Sequence, residues 1–290
     1  MSPNETLPSD PGSIAFIGGG NMARSLIGGL VSRGIAADTI HVAEPVEALR
    51  AALEADFGVR THASALQAAS EAETWLLAVK PQVMRGVCEA LATQAQVARP
   101  LAISIAAGIT IDQLSRWLGG DSADATPLPI VRAMPNTPAL LGAGMTGLHA
   151  NAQVDAGGRT RAEALLSAAG KTVWIEDEAL MDAVTAVSGS GPAYVFLLAE
   201  AMEEAGKAEG LPDAAARTLA LQTVLGAARM LTESDEAPSE LRRRVTSPGG
   251  TTQAAVETFE SGGLRDLVAQ AVHNAAERGR QLARANDEDA

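Results

Sequence analysis

Residues 14–23 read Ile14-Ala15-Phe16-Ile17-Gly18-Gly19-Gly20-Asn21-Met22-Ala23, an apolar run succeeded at once by G-x-G-x-x-A and then by a helical pattern. Strand, glycine turn and helix in that order open a βαβ unit. Gly18 permits the tight turn, Gly20 lets the backbone come close to a pyrophosphate, and the small Ala23 allows the helix to pack on the strand. The free N–H groups and positive dipole end of that helix would then hold the phosphates. A glycine turn without a ligand would show the same string, so the rest of the N-terminal half has to decide. It alternates. Short apolar runs at 40–43, 75–79, 101–105 and 130–133 are separated by helical patterns, which predicts parallel strands joined by crossover helices. Helix starts are signalled by Pro81 at a first-turn position and by the capping-box spacing of Thr110-Ile111-Asp112-Gln113. Residues 144–149 and 171–175 read as later strands with a helix over 161–169 between them, and the polar, Pro-containing stretch 119–129 reads as a surface loop.

After Asp177 the strand pattern ends, and Ala/Leu/Glu/Arg-rich helices are predicted over 192–209, 213–231, 239–245, 252–260 and 264–285. The expected fold is α/β: an N-terminal Rossmann-type, doubly wound, mainly parallel sheet over 12–177, then an all-α C-terminal domain over 178–290. Leu197, Leu198, Ala201 and Ala205, and further on Leu219, Val224, Leu225, Ala228 and Leu231, form apolar faces too broad for a lone surface helix. A small helical domain buries little area by itself, so dimerisation through these helices is expected.

Composition narrows the function. The 290 residues are 47% apolar and 20% charged, an ordinary globular balance. Net charge is −13, which repels phosphate backbones and anionic lipid, so neither nucleic acid nor membrane is expected as a partner. Cys88 is the sole cysteine, which excludes an intramolecular disulfide and a multi-cysteine metal site and fits a reducing cytoplasm. No metal site is expected. Apolar stretches fall far short of the roughly 18 to 20 residues of a membrane span. Residues 1–11 lack the basic and apolar regions of a signal peptide and read as a disordered leader. The acidic tail from Asn286 reads as solvated and frayed.

The strand ends carry the candidate site. Glu44 closes the second apolar run, where an acidic residue would bond a ribose 2′-hydroxyl and repel a 2′-phosphate; equally, it could favour the first turn of the next helix by a few tenths to about 1 kcal/mol. Arg50 lies too far along that helix to count as a phosphate ligand. Ala78-Val79-Lys80-Pro81 ends another strand at the edge where ligands bind, and lysine occurs only at Lys80, Lys171 and Lys207. Without the glycine loop Lys80 would be a solvated strand end; with it, cofactor contact is the better reading. Ser104-Ile105-Ala106-Ala107-Gly108 offers small residues to a flat ring or ribose, and Arg132-Ala133-Met134-Pro135-Asn136-Thr137-Pro138 makes a polar turn fixed by two prolines. In the helical half, Val187-Ser188-Gly189-Ser190-Gly191-Pro192 and Ser247-Pro248-Gly249-Gly250-Thr251-Thr252 each precede a helix and offer N–H groups and hydroxyls to a small anion such as a carboxylate. N-capping by Ser190 and Thr251, about 1 kcal/mol each, would explain one hydroxyl in each loop but not the glycines beside them.

These motifs together resemble the pyrroline-5-carboxylate reductase family, from Ile14 to about Leu282. The most specific pieces are residues 16–23, Ala78-Val79-Lys80-Pro81, Met134-Pro135-Asn136-Thr137-Pro138, residues 182–194 and Ser247-Pro248-Gly249-Gly250-Thr251-Thr252, in matching order and spacing. The resemblance implies a reduced nicotinamide dinucleotide, NADPH or NADH, on the first domain, and Δ1-pyrroline-5-carboxylate at the second, giving L-proline. It implies cofactor contacts from Ile17, Gly18, Gly19, Gly20, Asn21, Met22, Ala78, Val79, Lys80, Pro81, Ala106, Ala107, Gly108 and Glu178. The substrate carboxylate would be held by Ser247, Gly250, Thr251 and Thr252, with Thr252 near the imine nitrogen as the catalytic hydroxyl. It also implies homodimers through interleaved C-terminal helices, often five to a decamer. Glu44 stands where many NADPH-preferring members carry Ser, Asn or Arg, which brings NADH into consideration as cofactor. Two other readings stay open on the sequence: a related imine or carbonyl reductase of the same architecture, and a non-catalytic dinucleotide sensor, against which the intact 247–252 segment speaks.

Overall fold

The computed structural model describes residues 12–119 and 126–288; the leader read over 1–11, the middle of the 119–129 loop and the last two residues of the tail lie outside the described residues. Strands β1 (Ile14–Ile17), β2 (Ile40–Ala43), β3 (Arg60–His62), β4 (Thr74–Leu77), β5 (Leu101–Ser104), β6 (Ile130–Met134), β7 (Gly144–Ala150) and β8 (Gly170–Trp174) form one sheet. Its order is β3-β2-β1-β4-β5-β6-β7-β8. Neighbours are parallel except β6 and β7, which run antiparallel. The order reverses between β1 and β4, the switch point of a doubly wound sheet.

Helices α1 (Asn21–Ser32), α2 (Glu47–Phe57), α3 (Ala65–Ser70), α4 (Pro81–Ala98), α5 (Ile111–Gly119) and α6 (Ala156–Ser167) cross over between strands. They cover both faces of the sheet. Ile14 and Phe16 of β1 join one core with Leu26 and Leu30 of α1, while Ala15 and Ile17 join the other with Trp75, Met84 and Leu91. Strands buried on both sides are nearly continuous apolar runs, which is why they are legible in the sequence even with His41, Thr74, Ser104 and Arg132 among them. The expected start signals operate. Pro81 opens α4, and Thr110 Oγ1 accepts from Gln113 N–H at 3.2 Å while Gln113 Oε1 accepts from Thr110 N–H at 2.8 Å.

Strand β3 has no counterpart among the predicted strands. Arg60-Thr61-His62 has no apolar residue, and it extends because its backbone pairs with β2 at the sheet edge, His41 opposite Arg60. Side chains reinforce the pairing: His41 Nδ1 lies 3.1 Å from His62 Nε2 with the rings stacked at 5.3 Å.

Helix α7 (Met181–Val184), a π-turn over Thr185–Gly189, and helices α8 (Gly191–Ala208), α9 (Asp213–Glu233), α10 (Pro238–Arg244), α11 (Thr251–Ser261) and α12 (Leu264–Glu288) complete the chain. By compactness the chain forms two units, one running to Gly189 and resuming at Ala275, the other Ser190–Asn274. This division differs from the boundary read at 177/178. Residues 178–189 stay with the sheet because Glu178 and Asp182 pair with Arg132 of β6 at 3.1 and 3.5 Å, and Asn136 Nδ2 donates to Ser188 O at 3.0 Å. The acidic tail is also not frayed where it is described. It remains helical, with Asn286 Nδ2 donating to Gly108 O at 3.1 Å and Asp287 paired with Arg116.

Within the second unit, Glu203 of α8 pairs with Lys207 at 2.7 Å and reaches Arg217 of α9 at 3.9 Å; Glu260 of α11 takes Arg242 at 2.9 Å and Arg265 at 2.7 Å. Many of its large apolar side chains stay outside. Phe196, Leu197, Leu219, Leu225, Phe259 and Leu267 are each more than half exposed in the single chain, and no helix is long and apolar enough to cross a membrane among the described residues.

Candidate active site

The cradle begins at Gly18. Its φ of +108° is open to glycine, and a Cβ there would lie 2.8 Å from Ala78 O. Gly18 N–H donates to Ala43 O at 2.9 Å and Ala78 N–H to Ile17 O at 2.8 Å, so the ends of β1, β2 and β4 are fastened together around one glycine. At Gly20 a Cβ would meet nothing within 4 Å. Gly20 caps α1 without a side-chain hydrogen bond, and the first turn holds no acidic residue. Free N–H groups, a positive dipole end and open space fit a dinucleotide pyrophosphate.

Neighbouring strand ends bring the other expected residues to the same edge. Lys80 caps α4 and is solvent-exposed. Ile105 N–H donates to Leu77 O at 3.2 Å and Ala106 N–H to Ser104 Oγ at 3.3 Å, which sets the loop over Ala106, Ala107 and Gly108 beside the end of β4. Cys88 stays out of the chemistry: it is buried in α4, and burial pushes its thiol up to about 12.

Glu44 bonds the start of α2, as one of its two readings expects, and the glycine loop as well. Its Oε2 accepts from Gly19 N–H at 3.3 Å inside the glycine loop, and its Oε1 accepts from Val46 N–H at 3.0 Å at the start of α2. Arg50 reaches back from its place in α2. Its helix position is remote, but the side chain folds back, and Nη1 donates to Glu44 O at 2.8 Å and Pro45 O at 2.9 Å. A guanidinium therefore stands at the end of β2, where the helical count alone left it out.

Glu178 is committed to structure. Its Oε1 accepts from Ile111 N–H at 2.9 Å and pairs with Arg132, itself 5% exposed. That carboxylate completes the N-terminus of α5 just beyond Gly108 and does not point freely at the glycine loop. Asn136, in the polar turn after β6, ties Ser188 O to Met145 N–H, the latter at 2.9 Å. Asp182 and Asn136 are legible in the sequence only as members of a string; their partners lie far off along the chain.

The 247–252 loop belongs to the other unit. Gly250 caps α11 with no side-chain bond, and Gly249 has φ +70°. Gly250 N–H donates to Ser247 O at 3.0 Å and Gly249 N–H to Gln253 Oε1 at 2.6 Å, while Gln253 Nε2 donates to Glu257 at 2.6 Å. Gln253 braces the loop and is absent from the sequence-derived site, although its i,i+4 spacing to Glu257 is a usable signal. Ser247, Thr251 and Thr252 are exposed. Neither Ser190 nor Thr251 makes the capping bond that would have made its loop purely structural. The first-turn N–H groups and the three hydroxyls can therefore receive a carboxylate.

A doubly wound sheet with this cradle, together with a helical unit that has its own uncapped glycine loop, defines a dinucleotide-binding oxidoreductase architecture. Residues 13–108 match the family described as NADP oxidoreductase coenzyme F420-dependent, and 178–282 match pyrroline-5-carboxylate reductase dimerisation. The chain is similar to the pyrroline-5-carboxylate reductase of Pseudomonas aeruginosa, 51% identical over 93% of this chain and 96% of that one. Among solved structures it is similar to the pyrroline-5-carboxylate reductase of Coxiella burnetii, 41% identical with a TM-score of 0.88 over 94% of this chain and 99% of that one. It is also similar to the Plasmodium falciparum pyrroline carboxylate reductase with NADP bound, 27% identical with a TM-score of 0.80 over 94% and 99%. The chain belongs to the pyrroline-5-carboxylate reductase family.

Proposed function

We propose that this protein reduces the C=N bond of Δ1-pyrroline-5-carboxylate to give L-proline, the last step of proline biosynthesis, with a reduced nicotinamide dinucleotide as hydride donor. The observation that carries the reading is the presence of both half-sites, the open cradle at Gly20 and the uncapped N-terminus of α11, in a chain whose curated relatives match it over nearly their whole length.

The bound cofactor would supply the hydride. This chain's residues do the rest. Ile17, Gly18, Gly19, Gly20, Asn21 and Met22 hold the pyrophosphate; Ala78, Val79, Lys80, Pro81, Ala106, Ala107 and Gly108 line the remainder of the cofactor. Ser247, Gly250, Thr251 and Thr252 fix the carboxylate, and the Thr252 hydroxyl, directly or through a water, bonds the imine nitrogen and assists its protonation. A protonated imine is already a strong electrophile, so alignment of the reacting atoms within about 3–3.5 Å and exclusion of water account for the catalysis. A functional division near 178 is supported by the start of the dimerisation match.

Cofactor choice rests on Glu44 and Arg50. The carboxylate favours a ribose 2′-hydroxyl, and the guanidinium behind it offers charge to a 2′-phosphate, so both NADH and NADPH serve. The working species is a homodimer through the C-terminal helices, assembled five to a decamer. The net negative charge supports a small-molecule substrate without nucleic-acid or membrane partners, and the sole cysteine supports a cytoplasmic location. The test monitors the oxidation of NADH and NADPH separately with pyrroline-5-carboxylate and identifies the product. L-proline formed in equal amount to cofactor consumed is expected; consumption with neither cofactor would refute the proposal.

A further inference from the structure

The last turns of α12 lie on the loop after β5. Asn286 Nδ2 donates to Gly108 O at 3.1 Å, Gln113 Nε2 donates to Ala283 O at 3.0 Å, and Asp287 pairs with Arg116. A Cβ on Gly108 would sit 3.4 Å from Leu282 Cβ and 3.7 Å from Ala283 N. Gly108 itself has φ +71°, a left-handed apex. Ala106 and Ile109 anchor the two sides of this apex in the core, while Ala107 is exposed, so the orientation of the apical peptide depends on its hydrogen bonds. The restraints come from its two ends and from α12: Ser104 Oγ holds Ala106 N–H, the capping box closes at Thr110, and α12 supplies the bond to the Gly108 carbonyl. Gln113 is fully buried and serves two partners at once, with its oxygen in the cap of α5 and its nitrogen on α12. The clamp and the cap are therefore one hydrogen-bonded assembly.

A peptide is planar, so a donor that fixes a carbonyl also fixes the N–H on the other side of the same bond. We infer that Asn286 is a positioning residue for the cofactor: through Gly108 O it sets the Gly108–Ile109 peptide and holds the loop over Ala106, Ala107 and Gly108 in the shape that receives the dinucleotide. The inference rests on the proposed contact of that loop with the cofactor. It gives the end of the chain a role in binding and not only in solvation.

The test uses the full-length protein with Asn286→Ala, the isosteric Asn286→Asp, which has no donor, and Arg284→Ala in the same last turns as a control. Two quantities are read: amide hydrogen exchange of residues 105–110 without cofactor, and the dissociation constants of NADH and NADPH by titration of their fluorescence. Both Asn286 variants should exchange faster in that segment and bind both dinucleotides more weakly by on the order of threefold, the same factor for each, with Tm and the control unchanged. Unchanged exchange would overturn the clamp. Faster exchange with unchanged dissociation constants would overturn the positioning role while leaving the proposed reaction intact. Failure of the unaltered protein to bind either dinucleotide would instead refute the underlying cofactor reading.

Discussion

Glu44 and Arg50 carry opposite charge at the end of β2, where the proposed reading sets the cofactor ribose. Removing the carboxylate in Glu44→Ser relieves repulsion of a 2′-phosphate, so the ratio of kcat/KM for NADPH over NADH should rise. Arg50→Ala should lower the same ratio by weakening NADPH alone. Steady-state kinetics with both cofactors read the pair, and a ratio indifferent to both changes would reduce Glu44 to its bonds with Gly19 N–H and Val46 N–H. Thr252 has a different test. Thr252→Ala should lower kcat/KM for the imine by roughly tenfold or more, about 1.4 kcal/mol, and an unchanged value would remove its hydroxyl from the chemistry. Residues of this kind are legible in the sequence when their backbone position carries the signal, as at Gly18 and Thr252. Arg50 is not, because a long flexible side chain spans more than one helical turn and its target is set by tertiary structure.

Among the elements, those with a period or a punctuating residue read cleanly, including the doubly buried strands, the α4 start at Pro81 and the box at Thr110. Strand β3 does not, since its extension comes from pairing with β2 and not from its own residues. That edge has a consequence for stability. Burial first, then His62 and Arg60, lower the pKa of His41 from its usual 6.5. The unfolded chain thus takes up a proton that the folded one resists, and stability is lost as pH falls through about 6.5 until the lower folded value is passed. Between neutral pH and mildly acidic pH, the urea midpoint should fall more for the unaltered protein than for His41→Gln. Equal losses in the two would show that the histidine pair does not govern the acid response. The end of α12 departs from its sequence reading for a related reason: acidic residues at a terminus suggest solvation, but Asn286 and Asp287 find partners on α5 and the loop before it.

At the scale of the whole molecule, the apolar residues left outside in residues 190–274 need a second chain. Dilution and then native mass measurement should find dimers as the smallest species, and Leu197→Glu with Leu225→Glu should yield monomers; a stable monomer of the unaltered chain would contradict the role given to these helices. The fold class and the two glycine-bearing loops are legible because each is a local string of residues. How the chain divides into compact units is not, since that depends on Arg132 reaching across to Glu178 and Asp182. The most direct measurement is a crystal structure of the ternary complex with oxidised cofactor and L-proline. The prediction is that the carboxylate rests on the first-turn N–H groups of α11, from either subunit, with the ring carbon next to nitrogen within about 3–3.5 Å of nicotinamide C4. A carboxylate bound elsewhere, or a nicotinamide remote from Thr252 of both subunits, would contradict the account.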